Sequence, residues 1–214
     1  LYHVIDNNRE YFEKYLRLIK DRVDADEAIL DKRYKEMLKS AGDNKDAQYE
    51  AGEHASELAY EIGELEQLMY RSFVIGVFVF MEGLTADLCR HIQKEYKEKF
   101  SYTDLGGMSG ISRAAKYVKT LTDDSLIKNS ETQRDFEVAK TIRNALVHAD
   151  GVISQDKITN IKHFIKENPG MIKLEAKNKI LISYKYAEWM LTLNTKFADE
   201  IGGHWKVKMS DWFS

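Results

Sequence analysis

The stretch Glu137-Val138-Ala139-Lys140-Thr141-Ile142-Arg143-Asn144-Ala145-Leu146-Val147-His148 gathers side chains that can do acid–base and anion chemistry. At 3.6 residues per turn, Glu137, Asn144 and His148 fall within roughly 40° of one another, Lys140 about 60° to one side and Arg143 about 60° further on. Val138, Ala139, Ile142, Ala145 and Leu146 occupy the opposite arc, so a helix here buries one side and presents a polar edge on the other. A histidine titrating near neutrality moves protons, and a guanidinium binds a phosphate and stabilises charge on its nonbridging oxygens. Together they suit metal-free, cofactor-free cleavage of an RNA phosphodiester with the 2′-OH as nucleophile. In that chemistry Asn144 orients the phosphate or the imidazole. Glu137 pairs with Lys140 or Arg143, and Lys140 adds a second positive charge. One acid–base residue per chain is few for a two-proton reaction, so a water or a second copy across a symmetric interface has to supply the other. The plainer reading is a helix whose last turn carries cations because they interact well with its C-terminal dipole.

Composition and periodicity set the elements around this edge. The chain has 214 residues, 43% hydrophobic and 31% charged, which fits one globular domain, or a domain with a helical arm, and argues against disorder, collagen or a disulfide scaffold. A single proline, Pro169, and 12 glycines favour long helices over a many-turned sandwich. The single cysteine, Cys89, forms no intramolecular disulfide and supplies no multi-cysteine zinc site. With no cleavable signal pattern recognisable, this points to a reducing cytoplasm, although a start at Leu1 rather than Met leaves room for residues before it. The longest apolar run, 73–81, is broken by Glu82 and falls well short of the roughly 20 residues that cross a bilayer, so it reads as a buried helix with no membrane partner.

Helical spacing runs over 7–39, and Ala41-Gly42-Asp43-Asn44 is a stop and restart, predicting a helical hairpin. The second arm starts near Lys45 and extends towards Phe100, with a bend or break conceivable at Gly63. Its part 72–92 is apolar on most sides and reads as the central core helix. A loop at 101–110 precedes a short helix at 111–121, then helices at 130–147 and 154–167, the last stopping at Asn168-Pro169-Gly170. Alternation through Ile172, Leu174, Ile180 and Ile182 predicts a small β-hairpin with its turn near Asn178. A final helix at 186–201 is expected to stop at Gly202-Gly203, leaving a tail with Trp205, Trp212 and Phe213 to pack on the core or meet a partner. The expected fold is all-α: a helical bundle with a long N-terminal helical hairpin and a small β-hairpin near the C-terminus. It divides into an extension at 1–70, packed on the same unit, and a domain at 71–214.

The net charge of −3 hides an asymmetry, since residues 1–66 hold 10 basic and 17 acidic side chains and the remainder 22 and 18. A polyanion should prefer the second part. Lys173, Lys177, Lys179 and Lys185 are candidate RNA-binding residues there, against the plainer reading of a solvated surface. Tyr184 and Tyr186 beside them either stack bases or belong to the core. Cys89 and His91 lack further ligands at metal spacing and read as structural. His54 and His163 need no special role, and His204 beside Trp205 reads either way. Gly107-Met108-Ser109-Gly110 lacks the Lys-Ser or Lys-Thr and the preceding strand of a phosphate-binding loop.

Arg143-Asn144-Ala145-Leu146-Val147-His148 resembles the R-x4-6-H signature of the HEPN superfamily, including the Asn that commonly follows its Arg. Glu137 and Lys140 resemble the extended E-x-x-K-x-x-R-N form of several ribonuclease members, and Phe80-Met81-Glu82-Gly83 resembles the corresponding segment of the preceding core helix. The resemblance covers 71–201. It implies a compact helical bundle that dimerises through the motif helices and acts as a metal-independent endoribonuclease in a toxin–antitoxin or antiviral system, with an antitoxin or defence-system partner. Arg143 and His148 would be the catalytic pair, Asn144 the motif's polar residue, and Glu137 and Lys140 supporting residues. Asp150 stands where one antitoxin-regulated subgroup carries a Tyr, so control through that Tyr is not implied. The resemblance equally admits an inactive relative: a non-catalytic dimerisation module, or one that binds nucleotide or RNA.

Overall fold

The computed structural model describes the backbone of residues 2–106 and 110–210 and the side chains of residues 8–106 and 110–202. Among these residues the fold is six α-helices and one two-stranded antiparallel hairpin. Helix α1 (Tyr2–Ala41) turns at Gly42, whose φ of +53° suits glycine, and α2 (Lys45–Glu95) starts with the Asn44 side chain capping the Asp46 and Ala47 N–H groups. Both helices are longer than three or four turns need to be, so their mutual packing and the core determine where each is buried. α2 runs unbroken through Gly63 and ends five residues short of Phe100. It is long and apolar enough to cross a membrane by length and composition, yet half of its most apolar window is buried inside the protein.

The buried stripe of α2, from Tyr70 through Phe73, Val74, Val77, Phe78 and Met81 to Ile92, is the axis of the core. Leu16, Ile19 and Val23 of α1 join that core, and the Phe12 ring meets Phe73 and Phe80 edge-on at 6.0 and 5.7 Å. Between Val23 of α1 and Tyr70 of α2 nearly every residue is exposed or half-buried, charged and apolar side chains alike, so this part of the two helices stands off the core. After a 3-10 turn at Tyr102–Asp104 come α3 (Gly110–Thr122) and α4 (Ser130–His148). α4 begins on the Asn129 side chain, which accepts from the Glu131 and Thr132 N–H groups, and its Phe136, Ala139, Ile142, Ala145 and Leu146 face inward. Rings of Phe78, Phe136 and Phe197 stack in series at 5.5 and 5.8 Å, tying α2, α4 and the last helix together.

Helix α5 (Ile158–Glu167) begins four residues later than its periodicity predicts, because residues 154–157 form a turn in which the Ser154 carbonyl accepts from the Lys157 and Ile158 N–H groups. Strands β1 (Ile172–Leu174) and β2 (Ile180–Ile182) pair in the register Ile172 with Ile182 and Leu174 with Ile180, across a turn where Lys177 and Asn178 have positive φ. Gln67 of α2 binds β2 as a neighbouring strand would: its amide donates to the Ile182 carbonyl at 2.9 Å and its oxygen accepts the Ile182 N–H at 2.8 Å. Helix α6 (Tyr184–Ser210) does not stop at Gly202-Gly203 but runs through both. Two glycines cost helix propensity of about 1 kcal/mol each, and the burial of Phe197, Ala198 and Ile201 just before them holds the helix. The surroundings of His204, Trp205, Trp212 and Phe213, and the placement of Gly107, Met108 and Ser109, lie outside the described residues.

Candidate functional site

The inward stripe of α4 fixes the rotation of the helix, so its polar edge faces outward. Glu137, Asn144 and His148 are exposed, whereas Lys140 and Arg143 are half-buried. Lys140 Nζ lies 3.1 Å from Glu137 Oε2, one helical turn back. Arg143 is the most enclosed of the five. Its side chain is 20% exposed, and its guanidinium sits 5.3 Å from the centre of the Phe78 ring. It donates from Nη1 to Asn144 Oδ1 at 3.0 Å and from Nη2 to Glu82 Oε2 at 3.3 Å. Its Nε is buried with no hydrogen-bond partner among the described residues. A guanidinium held on three sides by a ring, an amide and a carboxylate loses little further rotamer freedom on meeting a ligand.

Arg143 and His148 line one open cleft of about 410 Å³, with Glu82 and Thr85 from α2, Tyr102 from the 3-10 turn, and Gly110 and Arg113 from α3. The cleft thus joins the last turn of α4 to the middle of α2 and the start of α3. Thr85, Tyr102 and Arg113 are the members with no mark in the sequence. Glu82 lies 61 residues from Arg143 in sequence, where it interrupts an apolar run and nothing local pairs it with that arginine. Gly110 completes the pocket for that carboxylate. Its φ is +52°, and a Cβ on it would collide with Glu82 Oε1.

The segment after His148 is closed by the hairpin. The Ala149 and Gly151 N–H groups both donate to the Ala145 carbonyl, at 3.0 and 2.9 Å, with Asp150 in the left-handed region at φ +47°. The Gly151 carbonyl then accepts from the Ile180 N–H, and Val152 bridges to Lys179. Asp150 binds Arg71 Nη1 at 2.9 Å and Lys179 Nζ at 3.2 Å, and these partners, Lys179 first, hold its carboxyl below the ordinary value. The end of α4 that carries His148 is therefore braced from two sides.

This geometry separates the four candidate lysines, three on the hairpin and Lys185 in the first turn of α6. Lys179 is half-buried and spent on Asp150, whereas Lys173, Lys177 and Lys185 are exposed, Lys173 only 3.7 Å from Glu175. Tyr186 belongs to the core: it is wholly buried and burial pushes its phenol well above its usual pKa, so it offers no face to a base. Tyr184 stacks edge-on with Tyr70, and Lys20 sits 5.5 Å above its ring. Cys89 is buried against the Ala114 carbonyl, its thiol pushed up to about 12 by burial, and His91 is exposed. Among the described residues no group of three His, Cys, Asp or Glu side chains is placed to hold a metal ion. No protein-family model, curated protein or solved structure matches the chain.

Proposed function

We propose that the chain is a metal-independent endoribonuclease of HEPN type, acting at the end of α4. The observation that carries this reading is the joint placement of Arg143 and His148 on one solvent-open cleft, with the guanidinium pre-positioned. In the proposed reaction the ribose 2′-oxygen attacks phosphorus, the 5′-oxygen leaves, and a 2′,3′-cyclic phosphate and a 5′-hydroxyl end result. Arg143 binds the nonbridging oxygens and offsets the charge that grows on them; His148 moves a proton at one of the two ribose oxygens. Asn144 orients the guanidinium, and Lys140, paired to Glu137, adds positive charge beside it.

The second proton is assigned to a second copy. Asn144, Val147 and His148 form an exposed edge that a symmetric partner can cover, bringing two His148 side chains to one interface. Sedimentation at several concentrations tests this, and a monomer at the concentration where RNA is cleaved would refute it. RNA is the substrate, and a cytoplasmic toxin or antiviral effector held by an antitoxin or defence-system partner is the setting proposed. The cleavage test is gel analysis of RNA with wild type, Arg143→Ala and His148→Ala in excess EDTA.

The Glu82 contact favours one second reading, in which the cleft binds RNA or a nucleotide without cleaving it. A carboxylate 3.3 Å from the guanidinium reduces the charge Arg143 can offer a transition state. RNA affinity that depends on Arg143, without strand scission, would select that reading.

A further inference from the structure

Glu82 is a carboxylate set into the middle of the most apolar helix of the protein, its side chain 28% exposed, and the surroundings are shaped to hold it. Oε2 faces Arg143 Nη2, and Oε1 lies where a side chain at position 110 would stand. Position 110 is glycine in a conformation that strains other residues, at the first residue of a thirteen-residue helix, so the backbone of α3 comes close to the carboxylate. Glu82 thus lines the cleft that Arg143 and His148 also line. A carboxylate and a phosphodiester compete for the same fork of guanidinium donors.

Resting on the reading of this cleft as a phosphodiester site, we propose that Glu82 is a positioning residue. It occupies, in the ligand-free protein, the side of Arg143 that a substrate phosphate takes, and so sets how strongly the cleft binds a polyanion. Glu82 holds the guanidinium aimed into the cleft at the expense of affinity, and a phosphate must share or displace it. Loss of the Glu82 charge then strengthens binding through Arg143.

The test uses a 2′-O-methyl oligoribonucleotide, which carries the phosphodiesters but no nucleophilic 2′-OH. Binding is therefore read whether or not the protein cleaves RNA, and failure of the ribonuclease reading leaves this measurement interpretable. Glu82→Gln keeps the shape and removes the charge; its affinity should rise by roughly threefold to fivefold, the scale of one partly exposed ion pair. The gain should vanish in an Arg143→Ala background and persist in a His148→Ala background. Equal or weaker binding by Glu82→Gln, or a gain that survives loss of Arg143, would overturn the proposal. A second measurement needs no variant at position 82: in the wild-type protein the Arg143 side-chain nitrogen resonances should shift as the oligonucleotide is added. Resonances that stay fixed at saturation would overturn it equally.

Discussion

At the end of α4 the Arg143 guanidinium lies over Phe78, between Asn144 and Glu82, and is 20% exposed. On the hairpin nearby, the Lys173 side chain is 74% exposed and lies 3.7 Å from Glu175. Both regions are cationic, and composition gives the hairpin the denser charge. The difference lies in how much of the cation's freedom the fold has already removed. A guanidinium fixed by a ring and two oxygens presents donors in one geometry, which transition-state stabilisation requires, whereas an ammonium on a flexible stem in water supplies attraction without direction. Lys179 stands between the two. It is fixed, but on Asp150, so its charge serves the brace behind His148 rather than a ligand.

Substitution should separate the two cationic regions most clearly. Arg143→Ala should lower RNA cleavage on the order of 100- to 1,000-fold in a protein that still melts cooperatively, while Lys173, Lys177 and Lys185 changed together to Ala should leave the turnover rate intact. On α4 itself, Ile142→Ala opens the core and should cost about 2–5 kcal/mol of unfolding free energy, whereas Val147→Ala, 43% exposed, should cost under about 0.5 kcal/mol in a denaturant titration. Gly110→Ala should destabilise by about 1–2 kcal/mol from its left-handed backbone alone, with additional loss because Glu82 must move. The triple lysine variant should show its effect in binding, lowering the slope of log affinity against log salt by about 0.7 for each lysine that touches a phosphate.

The smallest effect concerns the brace. Asp150 has its carboxyl pKa lowered on folding, so its stabilising contribution is present above the unfolded carboxylate pKa and is lost as pH falls through the lowered folded one. The melting-temperature gap between wild type and Asp150→Asn should be widest near neutrality and close below about pH 4. A gap that widens in acid would contradict the ion pairs with Lys179 and Arg71.

The legible parts of this molecule are those that depend on near neighbours in sequence. The turn at Gly42 and Asn44, the alternation of Ile172, Leu174, Ile180 and Ile182, and the inward stripe of α4 each follow from local geometry, and the structure has them. The polar edge from Glu137 to His148 is likewise a property of one helix. The other wall of the cleft is not, because Glu82, Tyr102, Gly110 and Arg113 meet Arg143 only through the packing of α2, α3 and α4. An acidic residue in an apolar helix marks Glu82 locally but does not name its partner. Gly202-Gly203 misleads for the opposite reason: local propensity says stop, and the buried Phe197 and Ile201 upstream carry the helix through. Tyr186 looks available beside the lysines until the fold turns it inward.

In the proposed reaction His148 moves the proton in a cleft where Arg143 holds the phosphate. The most direct test is end-group analysis of RNA incubated in excess EDTA with wild type and with a folded His148→Ala variant. Wild type should leave 2′,3′-cyclic phosphate ends and the variant should leave the RNA intact; equal cleavage by the two proteins would contradict the account.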